Sequence, residues 1–403
     1  MRAITRSLFG AASAVIAVGA LSACSPADET PSVDGLKIVT TTTQLTDFTN
    51  NITEGTDAEV VSLFESGQSV HSFEATAADL EDIRTADVVV YNGMGLEPWL
   101  EETLKSAGFD GTKIDASAGF DPNSIHDDHD DHGHDDHDDH DDHDDHAAAG
   151  TDERIAAGVY RHDDHEHGGN DDDHDDHGDD HDDHGHDHDD HGDHDDHGHG
   201  GHGHDHDHDH DGPNPHIWTS PDGAVSMVET VANELGKADN AHADEYEENA
   251  EGYIAKLGKL DQWIGENMKQ VPEKERVVAT GHDALGYYND EYHITFVGSI
   301  MPSWDDNAEP SAAELDKLIA DIKKHKVPAI FSETQLDPAT AEALANEAGI
   351  KVYSGEDGLY TDSLGAAGSD ADTYIKATVH NTKQLLDSWG KTASEIPAEI
   401  QDA

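Results

Sequence analysis

The histidines of this chain fall into two groups. Residues 121–211 hold 26 of the 33 histidines together with 37 of the 90 acidic residues, and seven histidines are scattered over the rest of the 403 residues. Imidazole nitrogens and carboxylate oxygens bind divalent metals such as zinc. The groups meet in "GHGHDHDHDHDGPNPHIWTS" (201–220), where the dense run ends and His216 follows. Metal chemistry can therefore reside in the run, at His216, or in both.

The dense run has the composition of a disordered insertion. Arg154 and Arg161 are its only basic residues, and outside a short island of ordinary composition at 147–161 it has almost no apolar side chains. Such a segment cannot offset its ordering entropy by burial. We expect weak auxiliary zinc sites here, because each pair of ligands must be ordered on binding. An acidic spacer without metal is the alternative. The auxiliary ligands that we single out are His186, His188, His199, His202, His204, His206, His208 and His210.

Three of the scattered histidines stand where a binding site is expected. His71 and His282 each follow a β-rich segment, and ligands of open α/β sheets gather at the carboxyl ends of strands. Pro215 and Pro221 stiffen the backbone around His216. Asp362 could bring a carboxylate to the same place. Spacing alone leaves open whether these are ligands or ordinary polar residues, although three imidazoles and one carboxylate suit tetrahedral Zn²⁺ better than Mn²⁺.

The remaining histidines have a simpler interpretation. His242, His325 and His380 lie on helical patterns with charged neighbours, which favours ordinary polar residues at a loop or helix end over metal ligands. No H-E-x-x-H pattern is present, and four protein ligands would leave a zinc ion no open position for catalysis. The sequence therefore argues against a metallohydrolase.

Strand and helix patterns alternate on both sides of the insertion, which predicts two parallel-sheet α/β lobes. Before the insertion we predict strands at 36–43, 58–66, 87–93 and 112–117, with helices at 75–86 and 96–108. After it we predict strands at 276–281, 294–300, 329–334 and 351–356, with helices at 311–325, 338–349 and 371–389.

One long helical pattern separates the lobes. Apolar residues recur at spacings of three, four and seven from 241 to 271, which predicts a rigid rod of roughly 45 Å. A metal cleft is expected between the lobes that this rod joins. The predicted divisions are a first lobe over 36–239 that contains the insertion, a linking helix over 240–271 and a second lobe over 272–403.

The amino terminus predicts export and lipid anchoring. Arg2 and Arg6 precede an apolar run that is too short for a stable membrane span, and the run ends in "LSAC" with the chain's single cysteine, Cys24. This resembles the lipobox of bacterial lipoproteins. We expect a signal peptide over 1–23, lipid attachment at Cys24 and a flexible tether over 24–35. The net charge of −68 disfavours binding to nucleic acid or to an anionic membrane surface.

Beyond these patterns, the mature chain resembles the metal-specific substrate-binding lipoproteins of bacterial ABC uptake systems, especially their zinc-binding, ZnuA-like branch. The resemblance implies that His71, His216, His282 and Asp362 bind the metal, two from each lobe. It also implies an extracytoplasmic monomer that serves a permease and its ATPase. The motifs that carry it are "GQSVHSFEATAADL" (67–80), "VVYNGMGLEPWLEETL" (89–104), "NPHIWTSP" (214–221), "VVATGHDALGYY" (277–288), "EPSAAELDKL" (309–318), "IFSETQLDP" (330–338) and "TDSLG" (361–365).

The resemblance favours zinc over manganese. Manganese-binding members tend to have a carboxylate where His282 stands, and a histidine-rich insertion before the second ligand is typical of the zinc branch. The chain departs from the family in having Glu74-Ala75 where many members have Glu-Pro, and in lacking a disulfide that some zinc binders carry. A manganese-binding or other divalent-metal protein of the same transporter class, and a surface metal buffer or adhesin without a transporter, remain the alternatives.

Overall fold

The computed structural model describes residues 35–122, 213–301, 303, 310–401 and 403. The predicted signal peptide, Cys24, the tether up to residue 34 and the auxiliary histidines lie outside the described residues. Within them, no helix is both long and apolar enough to cross a membrane.

The first lobe is built on a four-stranded parallel sheet with the order β2-β1-β3-β4. Ile38 of the central strand faces Val60 on one side and Val88 on the other. Ile38, Val39 and Val89 are fully buried, as expected for a parallel sheet that is covered on both faces. The strands are β1 Lys37–Thr40, β2 Glu59–Ser62, β3 Val88–Tyr91 and β4 Thr112–Asp115.

In the described part of the chain this lobe also has four α-helices, and side-chain caps mark the start of three of them. The Thr42 hydroxyl accepts a hydrogen bond from the Leu45 amide at the start of α1, and Thr76 forms a capping box with Asp79 at the start of α2. Ser220 caps α4, which has proline at its first position. The helices are α1 Thr43–Ile52, α2 Ala77–Thr85, α3 Leu100–Ala107 and α4 Pro221–Ala238.

A single helix of 26 residues, α5 (Ala243–Met268), follows and spans about 39 Å. It packs against α1 and α4 of the first lobe. Asn249 donates to the Ile52 carbonyl in that lobe, and Asp261 accepts a hydrogen bond from Tyr292, which lies beyond α5. The predicted long helix is therefore present and contacts the chain on both sides of it.

The second lobe carries two parallel strand pairs, β5-β6 and β7-β8, with β5 and β7 in contact. A small core that includes Ile322, Ile330 and Leu344 holds its sheets and helices together. The strands are β5 Val277–Thr280, β6 Thr295–Ser299, β7 Ala329–Phe331 and β8 Lys351–Tyr353. The helices are α6 Gly286–Glu291, α7 Ala312–His325, α8 Ala339–Ala348 and α9 Tyr374–Ser388.

The two-lobe parallel α/β fold is confirmed, and each predicted element is present with ends shifted by a few residues. Helices α1, α4 and α6 were not predicted. The α1 sequence "TQLTDFTNNI" is rich in Thr and Asn, which have poor helix propensity. It is helical because its cap is satisfied and because Leu45, Phe48 and Ile52 are fully buried.

Candidate metal site

His71 is held by the loop that follows β2. The backbone carbonyl of Val70 accepts a hydrogen bond from the Trp99 indole at 3.2 Å. Phe73 packs against Trp99 with ring centroids 4.4 Å apart, and Phe64 packs on both rings. This aromatic cluster fixes the loop, so that the buried imidazole of His71 has a defined position although it lies nine residues beyond the strand.

His216 is oriented by Asn214. The Asn214 Oδ1 atom accepts from the backbone amide of His216 at 3.0 Å and lies 2.7 Å from its Nδ1. When Nδ1 carries the hydrogen and donates it to this oxygen, Nε2 is left with a lone pair for a metal. Asn214 also donates from its side-chain amide to the Asp283 carbonyl at 2.8 Å. It therefore ties His216 of the first lobe to the residue that follows His282.

His282 follows the carboxyl end of β5 by two residues and is fully buried. Its carbonyl accepts a hydrogen bond from the Thr280 hydroxyl at 2.6 Å. Its backbone amide and that of Gly281 both donate to the same oxygen of the Glu333 carboxylate. Glu333, which follows β7, therefore holds the turn that carries His282 in place through these hydrogen bonds.

Asp362 lies in the segment 359–366, the Asp362 loop, which contacts both lobes. The Thr361 carbonyl accepts hydrogen bonds from Gln44 and Trp218 of the first lobe. From the second lobe, the Gln335 side chain donates to Asp362 Oδ2 at 3.0 Å. The loop that follows β8 is thus hydrogen-bonded to the first lobe before and after Asp362, and Asp362 itself is hydrogen-bonded to the segment that follows β7.

These elements bring the four predicted ligands together. His71, His216, His282 and Asp362 are all buried, and one ligand atom from each lies within 4.8 Å of those of the others. Asp362 Oδ2 lies 3.5 Å from Nε2 of His71 and 3.3 Å from Nε2 of His282, and Oδ1 lies 3.4 Å from Nε2 of His216. The Nε2 atoms of His71 and His216 are 3.3 Å apart.

The spacing of these atoms is compatible with tetrahedral coordination of a metal. A tetrahedron with metal–donor bonds of about 2.0 to 2.1 Å has edges of about 3.3 to 3.4 Å. Three of these distances, from 3.3 to 3.5 Å, join Asp362 Oδ2 to His71 and His282 and join His71 to His216, and they are close to such edges. The fourth distance, from His216, reaches the other oxygen of Asp362. The arrangement can hold one tetrahedral cation through three nitrogens and one oxygen.

The electrostatics of the site favour a cation. Burial lowers the pKa of His216 to about 4, so this imidazole is neutral at pH 7. Burial also opposes the charged forms of His282 and Asp362, but their mutual attraction outweighs it. The pKa of His282 is raised well above its usual value and that of Asp362 is lowered well below its own. A proton on His282 therefore balances the negative charge of Asp362.

The other predicted residues lie elsewhere. His325 is exposed at the end of α7, His380 contacts the Gly358 carbonyl from α9, and His242 pairs with Asp239 before α5. The auxiliary histidines and Cys24 fall outside the described residues, so their predicted roles stay predictions.

Three contributors to the site were not predicted: Asn214, Glu333 and Gln335. All three lie inside motifs quoted above, "NPHIWTSP" and "IFSETQLDP". The alternation of side chains just beyond a buried strand could have indicated Glu333 and Gln335, because Phe331, Glu333 and Gln335 are spaced by two.

Comparison with known proteins places the chain in a defined context. The family model ZnuA, described as "Zinc-uptake complex component A periplasmic", matches residues 38–388. Among curated proteins, the manganese-binding lipoprotein MntA of Halalkalibacterium halodurans is 24% identical over 93% of this chain and 94% of its own length. The zinc-binding protein AdcA of Streptococcus pyogenes is 27% identical over 88% of this chain but 57% of its own length. The iron-binding protein YfeA of Yersinia pestis is 25% identical over 90% and 88%.

Solved structures show the same fold. The periplasmic zinc-binding protein TroA of Treponema pallidum superimposes with a TM-score of 0.63 at 20% identity, covering 88% of this chain and 99% of that one. A manganese-bound periplasmic metal-binding protein from Candidatus Liberibacter asiaticus gives 0.61 at 19% identity over the same shares. Relatives of one architecture thus differ in the metal named for them.

Proposed function

The chain belongs to the ZnuA family of periplasmic zinc-uptake components, and on that premise we propose that it is the zinc-binding component of an ABC uptake system. Members of this family are metal-binding solute-binding proteins and not enzymes. The cation is therefore the cargo, which the protein would bind outside the cytoplasm and deliver to a permease and its ATPase.

One observation carries the proposal: four buried donors, three imidazoles and one carboxylate, converge so that one ligand atom from each lies within 4.8 Å of the others. Their burial matters because donors shielded from solvent are the ones that supply the coordination shell. Four protein donors complete the shell of Zn²⁺, whereas Mn²⁺ favours a larger number of oxygens. The donor set therefore supports zinc as the preferred cargo.

The donor atoms, and not the relatives, have to indicate which metal is bound. Relatives at similar sequence identity are named for manganese, iron and zinc. His282 is the discriminating position in this chain. It supplies a nitrogen, and the Glu333 carboxylate beside it faces Nδ1, on the opposite side of the ring from the other ligands. A manganese-binding or iron-binding component of the same transporter class is the second outcome that the experiment below distinguishes.

We also propose roles for the segments outside the described residues. Cys24 in "LSAC" would carry the lipid anchor, as the lipoprotein relatives suggest. The histidine-rich insertion would act as an auxiliary zinc collector. Many weak sites tethered to the protein raise the metal concentration near the tight site without requiring high affinity in any one of them.

The proposed function is tested by metal-limited growth. A strain that lacks this protein should stop growing when zinc is chelated. The unaltered protein should restore growth, and so should His325→Ala, whose exposed imidazole lies at the end of α7. His216→Ala should not restore it. Rescue of the deletion strain by added manganese but not by added zinc would show that zinc is not the cargo.

A further inference from the structure

Glu333 is a buried acidic side chain that touches the proposed site without being one of its four ligands. It lies two residues beyond β7 and forms an isolated parallel bridge with Leu359. The Thr334 amide extends this pairing by donating to the Leu359 carbonyl at 3.0 Å. The backbone that carries Glu333 is thus paired with the start of the Asp362 loop, so Glu333 and Asp362 are positioned together.

One carboxylate oxygen of Glu333 contacts three nitrogen atoms of the turn that carries His282. Oε1 accepts from the Gly281 amide at 3.1 Å and from the His282 amide at 3.2 Å, and it lies 3.4 Å from Nδ1 of His282. Both side chains have zero exposure. Among the described residues, neither His282 Nδ1 nor Glu333 Oε2 has a hydrogen-bond partner. The unpartnered Nδ1 of His282 therefore lies beside the Glu333 carboxylate, whose second oxygen also needs a partner.

Gly281 makes this approach possible. A Cβ atom at position 281 would lie 1.9 Å from Oε2 of Glu333, a distance that no pair of unbonded atoms can adopt. Any side chain at this position would push the carboxylate away from His282. The glycine before the proposed ligand is thus accounted for by the carboxylate behind that ligand.

The chemistry of the pair determines which nitrogen of His282 faces the metal. A carboxylate cannot donate a hydrogen, so the imidazole is most stable beside it with the hydrogen on Nδ1. Once a metal displaces the proton from Nε2, the lone pair of that nitrogen lies on the side where Asp362 Oδ2 is 3.3 Å away. A carboxylate behind a metal-binding imidazole also raises the basicity of the ligand.

The same carboxylate changes the charge balance of the site. Asp362 and Glu333 together carry two formal negative charges among three imidazoles, and both side chains have zero exposure. Buried charges are costly unless they are balanced. A divalent cation bound by neutral imidazoles makes this group electrically neutral, whereas a monovalent one does not.

We propose that Glu333 is the positioning residue of the site: it fixes the tautomer of His282 and supplies the second negative charge that a divalent cation neutralises. This inference rests on the proposed function, because it takes His282 as a metal ligand. It predicts that the charge of Glu333, and not only its hydrogen bonds to the backbone, contributes to metal affinity.

Glu333→Gln tests this prediction. The glutamine Oε1 can still accept from the two backbone amides, but the negative charge is lost. In the full-length mature protein, the affinity of the four-ligand site for zinc should fall by about 10- to 100-fold. A loss of this size is typical when an outer partner of a metal-binding histidine is removed. The matched control is Glu342→Gln, an exposed position on α8, which should leave the affinity unchanged.

Nitrogen NMR provides a readout that a purely structural role would not alter. The ¹⁵N-histidine signals that disappear in His282→Gln belong to His282. In the zinc-loaded protein they should show a hydrogen on Nδ1 and the metal on Nε2. Binding of the metal through Nδ1 would overturn the inference. Because this measurement is made with Glu333 in place, it does not depend on whether Glu333→Gln folds.

The results separate this inference from the proposed function. If His282→Ala leaves cleft affinity unchanged, the proposed site is wrong. If His282→Ala abolishes tight binding but folded Glu333→Gln binds zinc as tightly as the unaltered protein, the site stands and the role of Glu333 is refuted. A selective loss in Glu333→Gln, together with the Nδ1–H tautomer in the unaltered protein, supports it.

Discussion

The Nε2 atoms of His71 and His216 face each other at 3.3 Å inside the protein. The residues come from the loop after β2 and from the turn before α4, 145 positions apart. Because Asn214 holds Nδ1 of His216, the lone pair of its Nε2 points toward His71. Two imidazoles in this arrangement are stabilised by a cation between them, and Asp362 and His282 complete a shell around that position.

Replacing His216 by alanine should weaken zinc binding at the cleft by more than about 100-fold, because even outer partners of a ligand are worth 10- to 100-fold. Trp218 offers a local reporter, since its ring lies 5.2 Å from that of His216. Zinc-dependent tryptophan fluorescence in competition with a chelator would measure the change. His325→Ala is the matched control, and equal losses in both variants would mean that the site has been misplaced.

Asn214→Ala should weaken the site without removing a ligand. The substitution releases Nδ1 of His216 and breaks the link to the Asp283 carbonyl, so both His216 and the His282 turn lose an orienting contact. We expect a loss of about 10- to 100-fold in zinc affinity. The exposed Asn240 supplies the control Asn240→Ala. Unchanged affinity in Asn214→Ala would show that packing alone orients His216.

Zinc binding should release the proton of His282 at neutral pH. The pKa of His282 is raised well above about 6.5, so the imidazole carries a proton that the metal must displace. His216, with a pKa of about 4, has none to lose. Affinity should therefore fall as the pH falls. Calorimetry in buffers of different ionisation enthalpy counts the protons, and a count of zero would contradict the assignment of His282.

The stability of the metal-free protein should depend on pH through the same group. A histidine whose pKa is raised on folding stabilises the protein fully below its unfolded pKa of about 6.5, and this contribution is lost as the pH rises through the folded value. The melting temperature of metal-free protein should thus decline on the alkaline side, and zinc-loaded protein should not follow it. If the melting temperatures of the metal-free and zinc-loaded proteins changed with pH in the same way, His282 would not carry the proton assigned to it.

Deleting residues 126–210 tests the insertion as a collector. The tight zinc equivalent should remain, because its four ligands lie outside the deleted range, and the additional weaker equivalents should disappear. Calorimetric titration of the full-length protein and of the protein without residues 126–210 measures the number of tight and of weaker zinc equivalents. Equal stoichiometry in the two proteins would leave the insertion as an acidic spacer.

The sequence predicted the fold well because its strands and helices carry strong local signals. Val88–Tyr91 is a continuous apolar strand, and α5 repeats its apolar residues at helical spacing. Helix α1 was missed because its sequence favours other structures, and its N-cap and the burial of its apolar residues make it helical. Local propensity is a weak guide when tertiary packing decides.

For the site, the sequence predicted which four residues the structure brings together, but not the contacts that orient them. His71 and His282 follow strands, and motif resemblance supplied the choice between a ligand and an ordinary polar residue. The contacts that orient them depend on tertiary structure: Glu333 reaches the His282 amide across 51 positions, and the Thr361 carbonyl accepts from Gln44 across 317. No spacing rule in the sequence connects residues so far apart.

Titration of the protein without residues 126–210, with zinc and with manganese, tests whether His71, His216, His282 and Asp362 form one zinc-selective site. We expect a single tight zinc equivalent and much weaker binding of manganese, because three nitrogens and one oxygen satisfy tetrahedral zinc but supply too few oxygens for manganese. Tighter binding of manganese than of zinc would contradict this expectation.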